Sequence, residues 1–153
     1  MVMNSTDFYI ASKTDIPFIS ETYNQNINEL HGINRTFDDW DKLLTDEKST
    51  YYIVRTTEPV AWFRTEITDN ILWLGMLQVK VEFQHQGFGK CILSFVENLA
   101  KSNNIKQLGI HTTEDNMVAR NLYQSFGYTV SEIGKCTTAD SVERIGYTFI
   151  KNI

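Results

Sequence analysis

Apolar residues recur at helical spacing near the start of the chain. An amphipathic helix over 16–30 is predicted by apolar positions three or four residues apart, namely Ile16, Ile19, Tyr23, Ile27 and Leu30. A capping box formed by Thr36 and Asp39 predicts that a second helix begins there and continues to Leu44. A short strand over 8–11 is predicted before both helices.

The middle of the chain has strand character instead. β-branched and aromatic residues fill three segments, which are separated by turns at 57–59 and 69–70. Tight turns join antiparallel neighbours. The sequence therefore predicts an antiparallel meander of four strands, over 8–11, 51–56, 60–67 and 71–81.

The remaining third of the chain alternates helices and strands. Apolar stripes predict helices over 87–101 and 117–126, and Gly127 is the natural end of the second helix. Further strands are predicted over 106–112, 129–133 and 142–150. The element order β-α-α-β-β-β-α-β-α-β-β predicts a mixed α/β fold with a largely antiparallel sheet.

The composition is typical of one globular domain, which we expect to span residues 1–153. Apolar residues make up 42% of the chain and charged residues 22%, which excludes disordered, collagen-like and coiled-coil proteins. The net charge is 14 − 19 = −5, so nucleic acid is not an expected partner, because phosphate binding needs a basic face. Cys91 and Cys136 are too few for a disulfide framework or a zinc site, and no metal is expected.

No segment of the sequence is typical of membrane insertion or export. The longest apolar runs are shorter than a membrane span, and the first residues have no basic segment followed by an apolar core. We therefore expect a cytoplasmic protein that binds no membrane.

Candidate chemistry begins between the strand over 71–81 and the helix over 87–101. The connecting residues 84–90 contain glycines two positions apart, which let the backbone approach a ligand closely. The helix N-terminus adds a partial positive charge, so a phosphate or pyrophosphate fits there. The alternative interpretation is that the glycines only turn a strand into a helix.

Spacing excludes two other kinds of phosphate-binding loop. A dinucleotide fingerprint needs a third glycine three residues after Gly89, where the chain has Ile92. A P-loop ending at Lys90 needs glycine in place of Gln84, and serine or threonine in place of Cys91.

Two motifs resemble those of the Gcn5-related N-acetyltransferase (GNAT) superfamily. The family's acetyl-CoA signature, Gln/Arg-x-x-Gly-x-Gly/Ala, is matched by Gln84, Gly87 and Gly89. A second family pattern is matched by Asn116, Ala119, Leu122, Tyr123, Gly127 and Tyr128. The element order is also similar to that of the family over residues 8–150. The resemblance implies a central, mostly antiparallel sheet of seven strands with four helices, splayed between the fourth and fifth strands.

The resemblance also implies that acetyl-CoA is the co-substrate and that the acceptor is an amine. Backbone groups of Val79 and Val81 would pair with the pantetheine arm. Asn116 would help to hold the cofactor, and Tyr123 would lie near the thioester sulfur. The pyrophosphate would bind backbone amides of His85, Gln86, Gly87, Phe88, Gly89 and Lys90. The chain departs from the family mildly, since Val81 stands where proline is common and Gln86 where a basic residue is common.

Acyl transfer to an amine makes three chemical demands. An alkylammonium with a pKa of about 10.4 must lose its proton, which costs about 4.6 kcal/mol at neutral pH. A base or a desolvating pocket must offset that cost. The tetrahedral oxyanion needs a donor, for which the resemblance implies the Val79 N–H group. The leaving thiolate needs a proton, which the phenol of Tyr123 can donate; the alternative is that Tyr123 only packs in the core.

Several groups are candidates for the base. His111 lies twelve residues before Tyr123, where some related ribosomal-protein acetyltransferases have glutamate, and its ordinary pKa near 6.5 suits a base. The alternatives are a purely structural histidine, the carboxylates Glu66 and Asp69, or a water relay. Cys91 is expected to pack in the core, because direct transfer needs no thiol nucleophile.

The acceptor itself is not determined by the sequence. His31, Glu29 and Asp38 lie in the segment where the family shapes its acceptor pocket, and Trp40, Trp62 and Trp73 are either pocket walls or core. We expect an N-acetyltransferase that acts on a primary amine of a small molecule or peptide, as a monomer or homodimer. The alternatives are a non-catalytic acyl-CoA sensor and a purely structural domain with this fold.

Overall fold

The computed structural model describes residues 5–153 and has the predicted order of elements. The strands are β1 (Asp7–Ile10), β2 (Ser49–Arg55), β3 (Pro59–Thr68), β4 (Ile71–Val79), β5 (Gln107–Thr113), β6 (Thr129–Thr137) and β7 (Glu143–Asn152). The helices are α1 (Ile16–Gln25), α2 (Phe37–Thr45), α3 (Phe88–Ser102) and α4 (Met117–Ser125). One sheet holds all seven strands in the order β1-β2-β3-β4-β5-β7-β6, which confirms the predicted fold class.

Local signals define the ends of two helices as predicted. The side chain of Thr36 accepts a hydrogen bond from the Asp39 N–H at 3.2 Å, and the Asp39 carboxylate accepts one from the Thr36 N–H at 2.8 Å. This reciprocal capping box begins α2. Beyond α4, Gly127 has φ +94°, a left-handed conformation that ends the helix.

Two boundaries differ from the sequence prediction by four residues or more, whereas β4 ends two residues early, at Val79 rather than Val81. Helix α1 ends at Gln25 rather than Leu30, because Asn26 leaves the helix and donates its side-chain amide to the Val79 carbonyl. Ile27 and Leu30 still pack against the same cluster from hydrogen-bonded turns, so the apolar spacing survives without the helix. Strand β6 extends to Thr137 because its ladder with β7 continues where the side chains are exposed.

The central feature of the sheet is the junction of β4 and β5, its one parallel pair of neighbours. Ile71–Leu74 pair with Gln107–Ile110, and the pairing then stops although both strands continue. The register between β3 and β4 also shifts just beyond this point, and Met76 has φ +52°. A bulge bends a strand away from its neighbour. The second half of β4 and the end of β5 therefore diverge and leave a gap.

The two faces of the sheet are covered unequally. Helices α3 and α4 pack on one face, where the buried core includes Phe63, Leu72, Ile110, Phe149 and Val96. Helices α1 and α2 pack on the other face, over a smaller cluster that contains Trp40 and Trp62. This second cluster contains residues of β2 and β3 but none of β5–β7. The second face is therefore open over β4, β5, β7 and β6, beside the gap.

Gly109 on β5 provides a test of packing on the open face. A Cβ atom at Gly109 would overlap the six-membered ring of Trp73, which stacks on His111 at 4.5 Å between ring centroids. We expect Gly109→Ala to lower the free energy of unfolding by about 1–3 kcal/mol, because overpacking forces the ring to move. Gly134→Ala is the matched control, since a Cβ there meets no atom within 4 Å, and its effect should stay within about 0.5 kcal/mol. Urea unfolding measures both; equal stability of the two variants would contradict the packing described for Trp73.

Candidate active site

A cleft of about 770 Å³ opens on the uncovered face where β4 and β5 diverge. Its wall includes side chains from β3 to β7 and from the segment after α1. Its charged and aromatic members are Glu29, Arg64, Glu66, Trp73, His111, Glu132, Lys135 and Tyr147. The cleft is therefore polar and bears both signs of charge, beside a gap in the sheet.

The loop before α3 presents free backbone donors. The first N–H group of α3 with a carbonyl partner is that of Cys91, which donates to the Gly87 carbonyl at 3.1 Å. The preceding amides of Phe88, Gly89 and Lys90 have no partner within the helix, as at every helix N-terminus. They point out of the helix end beside Gly87. This arrangement fits an anion such as a pyrophosphate.

The two motif glycines, Gly87 and Gly89, have different structural roles. Gly87 has φ +88°, and a Cβ there would meet no atom within 4 Å, so the loop surface is open at this point. A Cβ at Gly89 would lie 2.8 Å from Cδ2 of Leu122 on α4. Gly87 therefore gives the loop its left-handed turn and an uncovered surface, whereas Gly89 lets α3 and α4 pack closely.

The backbone at the end of β4 faces the gap. The Lys80 N–H donates to the Val60 carbonyl on β3 at 2.9 Å, and alternate residues of a strand point their backbone groups to opposite sides. Val79 therefore directs its N–H and C=O away from β3. Its carbonyl accepts hydrogen bonds from the side-chain amides of Asn26 (3.3 Å) and Gln84 (3.1 Å).

Val81 is also engaged by a side chain. Its N–H donates to Oε1 of Gln25 at 3.1 Å. Side-chain amides of Gln25, Asn26 and Gln84 thus bond to the Val79 carbonyl and the Val81 N–H, which are among the backbone groups predicted to pair with pantetheine. Pantetheine carries secondary amides with the same hydrogen-bonding chemistry. The pairing itself stays a prediction.

His111 lies at the edge of the gap and lines the cleft. Its Nδ1 is 3.0 Å from Oγ1 of Thr148 on β7, and its ring stacks on Trp73. Burial lowers the pKa of His111, and the negative charge of Glu132 opposes that shift. The imidazole is therefore neutral at pH 7 and has a lone pair available to accept a proton.

Tyr123 lies on the other side of the sheet, in the core beneath α4. Its ring packs against Tyr128 and Phe149, with 8% of the residue exposed, and its hydroxyl makes no hydrogen bond to any described residue. Burial raises the pKa of Tyr123 to about 12. The phenol therefore stays protonated. The raised pKa also makes the phenol a weaker acid, so it can protonate a thiolate only where the same apolar surroundings raise the pKa of the thiol as well.

Asn116 and His31 lie at the rim of the cleft, where their hydrogen bonds fix the neighbouring segments. Asn116 caps α4, with its Oδ1 accepting from the Ala119 N–H at 3.2 Å. His31 bonds the Asp115 carboxylate through Nε2 at 2.8 Å, and its carbonyl accepts from the Asp140 N–H at 3.1 Å. The segment after α1 is thus tied both to the turn before α4 and to the loop between β6 and β7.

Other sequence candidates lie outside the cleft. Asp69 is in the β3–β4 turn, Asp38 is exposed on α2, and Trp40 and Trp62 are fully buried beneath α1 and α2. Cys91 is half-buried, and burial raises the pKa of its thiol, as expected for a packing role.

Four further residues line the cleft that no sequence motif indicated, namely Arg64, Gly75, Glu132 and Thr148. Two-residue alternation along β3, β6 and β7 could have placed them opposite the core face. Alternation does not reveal which strands become neighbours, so it could not have grouped them.

Comparison with protein families agrees with this geometry. The model of the Acetyltransferase (GNAT) family matches residues 16–128, which is most of the chain. The chain belongs to the GNAT acetyltransferase family. Family members use acetyl-CoA, so the resemblance inferred from the two motifs is confirmed at the level of the family. No curated protein sequence matches the chain significantly.

Solved structures show the same GNAT fold at low sequence identity. The ribosomal-protein-S18-alanine N-acetyltransferase of Escherichia coli is 17% identical, with TM-score 0.77, over 97% of this chain and 94% of that one. A variant of the spermidine N-acetyltransferase of Vibrio cholerae is 15% identical, with TM-score 0.80, over 96% and 93%. A Salmonella typhimurium protein assigned as an acetyltransferase contains acetyl-CoA as its cofactor; it is 15% identical, with TM-score 0.75, over 97% and 94%.

None of the described helices is long and apolar enough to cross a membrane.

The loop before α3 generates the first test of the site. We expect Gly87→Glu to weaken acetyl-CoA binding by about tenfold or more, because it places a like charge against the pyrophosphate. Gly87→Ala is the matched control for backbone strain at φ +88°, and it should weaken binding much less. Isothermal titration calorimetry measures both affinities. Unchanged affinity in a folded Gly87→Glu protein would show that the pyrophosphate binds elsewhere.

Proposed function

We propose that the protein is an acetyl-CoA-dependent N-acetyltransferase that acetylates a primary amine by direct attack within a ternary complex. The divergence of β4 and β5 carries this proposal. The Val79 N–H and C=O face the gap, the helix N-terminus with its free amides lies at one end of it, and the cleft opens on one face. Cofactor and acceptor can therefore reach the gap from different directions.

The chain's own residues would divide the chemistry as follows. The backbone amides before and within the start of α3 hold the pyrophosphate. The Val79 N–H donates to the developing oxyanion, where a preorganised donor contributes more than in water. His111 removes the amine proton as the nitrogen attacks, since that nitrogen becomes acidic once its bond to carbon forms. Tyr123 donates its hydroxyl proton, or a hydrogen bond, to the departing thiolate.

The proposal is tested by thiol release from acetyl-CoA in the presence of a panel of amines. The panel contains free amino acids, polyamines, amino sugars and short peptides. Transfer to one of these classes with acetyl-CoA consumed one for one supports the proposal. Tight acetyl-CoA binding without release of thiol for any amine would overturn it and would identify a non-catalytic acyl-CoA sensor.

The protonation of His111 predicts a pH dependence. The imidazole accepts a proton only above its pKa, which burial moves below the ordinary 6.5. We expect kcat/KM to fall on the acid side with a midpoint below that value, and His111→Ala to abolish this transition. Glu132→Gln should move the midpoint further to acid, because the charge of Glu132 raises the His111 pKa. An unchanged acid limb in His111→Ala, at near-normal rate, would favour Glu66 or a water relay.

The phenol of Tyr123 predicts a selective loss of rate. Tyr123→Phe keeps the ring in the core and removes only the proton donor, so kcat should fall by about 10²–10⁴ with little change in acetyl-CoA affinity. Tyr128→Phe is the matched control, because its hydroxyl is buried next to Tyr123 and has no hydrogen-bond partner among residues 5–153. Its kcat should not change. Steady-state thiol release measures kcat for both variants. Turnover of Tyr123→Phe within twofold of the parent would show that Tyr123 only packs in the core.

A further inference from the structure

One row of residues crosses the open face of the sheet at the point where β4 and β5 separate. Strand register places each member beside the next, and Gly75 and His111 are the first residues beyond the last β4–β5 pair. In spatial order from β2 to β6 the row is Tyr51, Arg64, Gly75, His111, Thr148, Glu132. All of them except Tyr51 line the cleft. A cation therefore stands on one side of the gap and a carboxylate on the other.

The guanidinium of Arg64 lies flat on Gly75. A Cβ at Gly75 would be 2.9 Å from Nη2 of Arg64 and 3.2 Å from its Nε, so the missing side chain makes room for the guanidinium. No carboxylate of residues 5–153 lies within ion-pair distance of Arg64. Its neighbour Tyr51 is a phenol whose pKa burial raises, and the positive charge of Arg64 opposes that rise.

A half-buried guanidinium without a counter-charge favours the binding of an anion. Its desolvation is unfavourable until a partner neutralises it. The rigid fork of N–H donors matches a carboxylate with two parallel hydrogen bonds. Arg64 contrasts with Lys135, the other cation of the cleft, which pairs with Glu143 at 3.5 Å. The structure thus leaves one cation of the cleft available for a ligand.

The opposite side of the row suits an ammonium group. His111 is hydrogen-bonded to Thr148, and Glu132 is close enough to raise the pKa of His111. Gly75 and His111 are the first residues beyond the last β4–β5 pair, so the guanidinium above Gly75 lies across the start of the gap from His111. Because the strands diverge there, the two groups are further apart than the about 5 Å that separates paired strands, which leaves room between them for a carboxylate and an amine carried by a single carbon atom.

We propose that the acceptor is a free α-amino acid, whose carboxylate binds Arg64 and whose amino group points across Gly75 into the gap toward His111. This inference rests on the proposed acetyltransferase function and names its substrate class. A polyamine has no carboxylate for Arg64. A peptide N-terminus has an amide at the carbon where a free amino acid has its carboxylate.

The test compares three forms of the same acceptor: the amino acid, its carboxamide and the decarboxylated amine. Hydrogen bonds to charged groups predict that kcat/KM for the amino acid exceeds that of the other two by roughly 10- to 100-fold. Arg64→Gln should remove this preference by raising KM for the amino acid alone. Lys135→Gln, the matched control, should leave the preference intact. If Arg64→Gln does not fold, the preference of the parent enzyme for the amino acid over the other two forms still tests the inference.

Three results would overturn the inference. The first is a carboxamide, peptide or polyamine that is acetylated better than every free amino acid. The second is an Arg64→Gln enzyme that loses the same factor for all three acceptor forms. If no amine releases thiol, the proposed function fails instead, and calorimetry on the acetyl-CoA-loaded protein then decides the binding site. Equal affinity for an amino acid and its carboxamide would be the third contrary result.

Discussion

The parallel pairing of β4 with β5 ends after Leu74 and Ile110, and the rest of the site depends on that ending. A continued ladder would use the backbone groups of Val79 and close the sheet. Because the strands diverge, those groups face a gap, where an unpaired amide or carbonyl is unfavourable. Side-chain amides of Asn26 and Gln84 satisfy the Val79 carbonyl. Under the proposed function, a cofactor arm with amides of its own takes their place.

The unequal covering of the sheet gives the gap two approaches. Helices α3 and α4 seal one face and bring the free amides at the start of α3 to one end of the gap. Helices α1 and α2 cover only the first strands of the other face, so the cleft over β4–β7 stays open. His31 ties the segment after α1 to two neighbouring loops and thereby shapes the rim. The proposed acceptor can therefore enter the cleft while the proposed cofactor occupies the gap.

Burial sets the protonation state of both candidates for proton transfer, Tyr123 and His111. Burial disfavours the charged form of any titratable group, so it raises the pKa of Tyr123 and lowers that of His111. Both side chains are therefore neutral at pH 7, the phenol as a donor and the imidazole as an acceptor. These are the protonation states that amine attack and thiolate departure require. Glu132 moderates the effect on His111 and keeps it a stronger base than burial alone would allow.

The sequence by itself determined what is local: the element order, the capping box at Thr36, the helix end at Gly127 and the glycine loop before α3. Each depends on residues a few positions apart, whose chemistry can be read without the rest of the chain. Tertiary structure alone decided that α1 ends at Gln25, where Asn26 bonds to Val79, and that Arg64 and Glu132 flank the gap. Those placements depend on strand register between distant segments. Alternation along a strand predicts the face on which a side chain lies, but only packing decides which strand lies next to it.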